Sequence, residues 1–106
     1  EQPFFYIKSE RKFIKILVDE VIYIESLRNH IKVVTENGNF ITLLSISQIE
    51  EKLSPQHFIR IHRSFIVPVS RIKQFSQTQV TVMNTELPIG NLYRNTVLQR
   101  LNNNLF

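Results

Sequence analysis

The run Phe58-Ile59-Arg60-Ile61-His62-Arg63-Ser64-Phe65-Ile66-Val67 restricts the fold more than any other stretch of this chain. Ile59 and Ile61 alternate with Arg60 and His62, the two-residue period of a strand that buries one face. Such a strand holds cationic and hydrogen-bonding groups rigidly on its other face, which suits an anionic partner. The plainer alternative is an edge strand whose charges are simply solvated.

Most of the remaining sequence reads as short strands. Phe4 to Lys8 and Lys12 to Val18 are apolar runs split by Ser9-Glu10-Arg11, a hairpin pattern. Val21 to Leu27 and His30 to Glu36 follow, with Arg28-Asn29 between them as turn residues. Asn37-Gly38 is the strongest hairpin signal and predicts a type I′ turn into Phe40-Ile41-Thr42-Leu43-Leu44. Ser45 to Leu53 predicts a short helix with Ile46, Ile49 and Leu53 on one stripe, capped by Ser47 with Glu50 or Glu51 and ended by Ser54-Pro55. Beyond the central run come strands at Arg71–Phe75 and Gln79–Met83, a turn at Asn84-Thr85, and Leu87-Pro88-Ile89. A helix over Leu92–Leu101 closes the chain. The sum is a mostly-β domain with one short internal helix and a short C-terminal helix.

At 106 residues, 42% hydrophobic and 21% charged, the chain suits one soluble domain with its own core. Glu1-Gln2-Pro3 is neither an initiator methionine nor a signal peptide. We expect a single domain, residues 1–106, from the C-terminal end of a longer protein. No apolar stretch nears the roughly 18 residues that span a bilayer. The absence of cysteine agrees with a reducing, cytoplasmic setting. Residues 1–56 hold seven Lys/Arg and eight Asp/Glu, whereas residues 57–106 hold six and one. A basic half favours nucleic acid, an acidic membrane surface or an acidic protein.

Enzyme chemistry is hard to find. His30, His57 and His62 lack metal-site spacing, no serine sits in a nucleophile elbow, and two glycines cannot build a phosphate loop. No metal or cofactor is expected. Glu25, near His30, reads as one half of a structural ion pair.

Three segments together resemble one family. Ile22-Tyr23-Ile24-Glu25-Ser26 followed by Asn29-His30-Ile31 is similar to a strand-and-loop element, Phe58 to Val67 to a signature F-x-R-x-H-R-S-[FY]-x-V, and Leu87-Pro88-Ile89 to a closing segment. All belong to the LytTR type of bacterial DNA-binding domain, and the resemblance runs from about Phe4 to Leu101. It implies an elongated domain of small stacked antiparallel sheets without a recognition helix. Loops at strand ends would enter successive major grooves of double-stranded DNA, commonly as the output half of a two-component response regulator. Paired target repeats would favour a dimer held by a missing upstream domain. This domain itself would make no membrane contact.

Carried over by position, the first loop is Arg28, Asn29 and His30; the second is Arg63 with Ser64; the third is Gly90-Asn91, near Arg94. Two departures stand out: Pro68 replaces the usual asparagine, and Gly90-Asn91 replaces a usual Ser-Arg. Asn91 would then pair bidentately with an adenine, or Arg94 would swing in from the helix. Base contacts are thus expected from Asn29, His30, Arg63 and Asn91, with Arg63 reading guanine. Phosphate contacts are expected from Arg28, Lys32, Ser64, Arg71, Lys73 and Arg94. His62 reads as a partly buried histidine, with Arg60 beside it and paired to Glu25. Tyr23, Phe40, Phe58, Phe65 and Phe75 read as core. The other classes are a protein-interaction module with a basic docking face, and a single-strand binder, which needs exposed aromatics beside a basic groove.

Overall fold

Apolar alternation resolves into three antiparallel sheets in the computed structural model, which describes residues 2–106. β1 (Phe4–Ser9) and β2 (Lys12–Leu17) form a hairpin. Its tip residues Glu10 and Arg11 both have positive φ, 51° and 70°, the type I′ geometry that matches strand twist. β3 (Val21–Leu27), β4 (His30–Thr35), β5 (Gly38–Thr42), β6 (Phe58–His62) and β7 (Phe65–Pro68) build a sheet in the order β5-β4-β3-β7-β6. β8 (Ile72–Phe75), β9 (Gln79–Val82) and β10 (Thr85–Pro88) form the third sheet. α1 (Ile46–Lys52) links β5 to β6, and α2 (Arg94–Asn102) follows β10.

The five-stranded sheet is covered on both faces, which explains why Val21-Ile22-Tyr23-Ile24 is apolar without interruption. Ile24, Ile31, Val33 and Ile66 face one core, shared with Ile7 and Ile16 of the hairpin and Ile46, Ile49 and Leu53 around α1. Tyr23, Phe65, Ile59 and Val67 face a second core with Val80 and Val82 of β9, Leu87, and Val97 and Leu101 of α2. Each fully buried Ile or Val contributes about 1.5–3 kcal/mol relative to exposure. The layers give extents of 45 × 32 × 25 Å, the elongated mostly-β shape the resemblance implied.

Several local expectations shift. Thr35 pairs with Gly38, so the β4–β5 tip is Glu36-Asn37; neither tip residue has positive φ, and Gly38, the first residue of β5, takes it instead at 131°. The buried Thr35 hydroxyl organises this turn, donating to Gly38 O at 2.6 Å and accepting from Asn37 N–H at 3.1 Å. Ser45 rather than Ser47 caps α1, because its hydroxyl accepts from Gln48 N–H at 3.1 Å while Gln48 Oε1 accepts from Ser45 N–H at 2.9 Å. The β9–β10 turn is Met83-Asn84, one residue early, with Met83 taking the positive φ of 51°. Phe75 is 37% exposed and no part of either core, since β8 is an edge strand. The outward face of the hairpin also carries exposed aromatics, with Phe4 and Tyr6 in edge contact and Lys15 over the Phe4 ring.

Candidate nucleic-acid interface

β3 ends in a turn, Arg28-Asn29, because Leu27 pairs with His30 across it. Arg28 sits at φ 37°, a conformation that costs a non-glycine residue on the order of 1 kcal/mol and recurs at functional sites. The Arg63-Ser64 turn joins β6 to β7, with His62 opposite Phe65. β3 and β7 are antiparallel, and Ser26 N–H donates to Ser64 O at 2.8 Å. The Arg28-Asn29 and Arg63-Ser64 turns therefore lie side by side at one end of the five-stranded sheet.

The third loop reaches the same end through a bulge. Pairing of β6 with β7 slips between Arg60 and His62, leaving Ile61 outside the ladder. The Ile61 carbonyl instead accepts from Gly90 N–H at 2.8 Å. A Cβ on Gly90 would lie 3.2 Å from the Tyr93 ring and 3.4 Å from the His62 ring, so glycine permits this close approach.

Arg60 fastens the second turn from beneath. Its Nε donates to His62 O at 2.8 Å, Nη2 to Arg63 O at 2.7 Å, and Nη1 to Glu50 Oε1 at 2.7 Å. Its guanidinium also lies 5.5 Å from the Tyr93 ring centroid, and its side chain is only 10% exposed. The expected Arg60–Glu25 pair does not form. Arg60 lies opposite Ile66, on the face that α1 covers, whereas Glu25 points to the other face and pairs with Lys32 at 3.4 Å. This clamp was missed in the sequence because partner choice depends on which face each strand residue takes.

His62 is half-buried, as expected, and its role is specific. Its Nδ1 accepts from Ser64 N–H at 3.0 Å, which requires the neutral ring. Burial, then the nearby charges of Arg63 and Arg60, hold its pKa below the ordinary 6.5. The ring packs on Phe65 with centroids 5.6 Å apart.

The structure brings Arg28, Asn29, His30, Arg63, Ser64 and Asn91 to one end of the molecule. Asn29, Arg63 and Asn91 are exposed, and no ion pair among the described residues uses the Arg63 guanidinium. Asn91 Oδ1 accepts from Arg94 Nη2 at 2.8 Å, and Arg94 Nε is buried without a partner. Lys32 lies two residues inside β4, its charge met by Glu25. Arg71 and Lys73 are not brought to that end. Arg71 pairs with Glu36 at 2.7 Å at the opposite end of β4, about 20 Å away at ~3.3 Å per strand residue. Lys73 sits toward the Met83-Asn84 turn, away from Gly90. An open groove of 1030 Å³ between the hairpin and β5 is lined by Tyr6, Phe13, Ile41 and Leu43, and His30 is the one candidate contact on its wall. No helix is long and apolar enough to cross a membrane among the described residues.

A family model described as the LytTr DNA-binding domain matches residues 11–102. The CO-responsive transcriptional regulator RcoM of Rhodospirillum rubrum is 32% identical over 77 residues, covering 66% of this chain and 33% of that protein. The sensory transduction protein LytT of Bacillus subtilis is 30% identical over 86 residues, covering 74% of this chain and 36% of that protein. This chain thus spans about a third of the length of those relatives. A solved LytTr DNA-binding domain from Bacillus cereus superposes with a TM-score of 0.79 at 25% identity, over 95% of this chain and 98% of that one. The match runs unbroken from the β1–β2 turn to the end of α2, and the chain belongs to the LytTr DNA-binding domain family.

Proposed function

We propose that this domain binds double-stranded DNA with a sequence preference, as the output part of a bacterial, cytoplasmic transcription regulator of the response-regulator kind. The observation that carries the reading is the gathering of the Arg28-Asn29, Arg63-Ser64 and Gly90-Asn91 loops at one end of two sheets, joined by backbone hydrogen bonds. Base edges are read by Asn29, His30, Arg63 and Asn91, with Arg63 on guanine, because an unpaired arginine fork matches guanine O6 and N7. Arg28, Ser64 and Arg94 meet phosphates, which supply affinity and register without sequence information. Lys32 adds to this weakly because Glu25 offsets its charge. Arg71 and Lys73 enter no contact in this arrangement, since they lie toward the other end of their sheets.

One domain covers a short site and binds weakly. Two domains held together by a further part of the protein gain by effective concentration, so paired repeats and a dimer fit this reading. The test is selection from a pool of random duplexes at moderate salt, followed by sequencing of the bound fraction. An enriched motif is expected. Survivors as random as the starting pool, or single strands that outcompete duplex, would overturn the proposal.

A further inference from the structure

Leu92 is 95% exposed and belongs to neither core among the described residues. Scattered exposed leucines are ordinary on protein surfaces. What distinguishes this one is its position at the tip of a fixed turn. Tyr93 N–H donates to Gly90 O at 2.9 Å, which makes Asn91 and Leu92 the two central residues, and Gly90 is itself pinned to Ile61 O at 2.8 Å. The Asn91 carboxamide is oriented as well. Arg94 can only donate, so the amide oxygen must face it at 2.8 Å, and the Asn91 NH2 group is left free to donate.

We infer that Asn91 and Leu92 together read a thymine, the amide donating to O4 and the leucine methyls packing on the C5-methyl. An acceptor beside a methyl is the pattern that thymine alone presents in the major groove. Adenine needs both the donor and the acceptor of a bidentate asparagine turned to the base. Here Arg94 already takes one lone pair of the oxygen and holds it on its own side, which favours the donor-only contact. Leu92 is thereby a specificity-determining residue. The inference rests on the reading that this loop enters the major groove of duplex DNA.

The probe is the duplex enriched by selection, with each thymine replaced in turn by deoxyuridine, which keeps O4 and loses only the methyl. Wild-type protein is expected to bind one of these duplexes about fourfold more weakly, the ratio that burying a single methyl-sized group supplies. Leu92→Ala should bind the thymine and uracil forms equally at that position, whereas Asn91→Ala should lose affinity for both alike. Melting of Leu92→Ala is expected to match wild type, which separates contact from unfolding. If wild type is indifferent to every replacement, or the penalty survives Leu92→Ala, the inference falls while duplex binding stands. If no duplex is enriched, both fall.

Discussion

Arg60 donates from Nη2 to the backbone carbonyl of Arg63 at 2.7 Å, so a nearly buried arginine sets the main chain that carries an exposed one. One arginine of the central motif is bound into the fold and the other is exposed, so their substitutions should separate accordingly.

Arg63→Ala removes a solvent-facing side chain, so stability should stay within about 0.5 kcal/mol of wild type. Preference at one base position should fall by roughly 1–3 kcal/mol, with other positions unchanged. Urea titration and binding to single-substitution duplexes check the two halves. Equal loss across all positions would place Arg63 on a phosphate instead.

Arg60→Gln strips charge-assisted bonds from the His62 and Arg63 carbonyls and leaves Glu50 unmatched. A stability loss of about 2–4 kcal/mol is expected, since each bond to a charged group is worth about 1.5–3 kcal/mol and some are replaced by water. Arg60→Lys should recover only part of it, because a point charge cannot serve carbonyls and carboxylate from one planar fork. Denaturant midpoints of the variants would settle the order.

Arg28→Ala should weaken all duplexes alike and make the salt dependence shallower by about 0.9 in the slope of log affinity against log salt. Affinity at several salt concentrations on the selected site and on a scrambled one measures both effects. A loss confined to the selected site would move Arg28 from backbone to base.

His62 gives stability a defined dependence on pH. Its folded pKa lies below the ordinary 6.5, so as pH falls through 6.5 the unfolded chain takes up a proton that the folded domain refuses. The contribution of His62 is fully present above 6.5, declines as pH falls, and levels off below the folded value. His62→Asn offers an acceptor to Ser64 without titrating. The stability difference between wild type and this variant should therefore narrow or reverse in favour of the variant on acidification. Unfolding curves at stepped pH check the sign, and a difference independent of pH would contradict it.

Replacing Glu10-Arg11 by Asn-Gly should raise stability by about 0.5–1 kcal/mol, because both positions already hold the positive φ that those residues accept without strain. Thermal melting is the measurement. A lower midpoint would mean that Glu10 or Arg11 makes a contact worth more than the relief.

Strands and hairpins were legible because side chains alternate with period two, as in His30–Thr35 and Phe58–His62, while Val21–Ile24 shows as an unbroken apolar run that the two cores explain. The loops were legible through the family motif. What escaped depends on parity and on three-dimensional neighbours. The Ile61 bulge and the face taken by Arg60 decide that Glu50, ten residues away, is its partner rather than Glu25. Ser45 and Ser47 are equivalent as helix caps in the sequence, since Gln48 and Glu50 each follow three residues on; the fold uses Ser45 with Gln48 and gives Glu50 to Arg60. Arg71 and Lys73 were grouped with the interface by charge alone, and charge says nothing about which end of a sheet a residue occupies.

The Ile61 carbonyl, freed by the bulge and taken by Gly90, bears on attempts to retarget this domain to another operator. A third loop grafted from a relative would have to bring its backbone N–H to that carbonyl while adding no crowded Cβ beside Tyr93 and His62, so it should be moved together with the β6 irregularity. On the proposed reading, altered specificity should therefore arise from paired changes across the two segments.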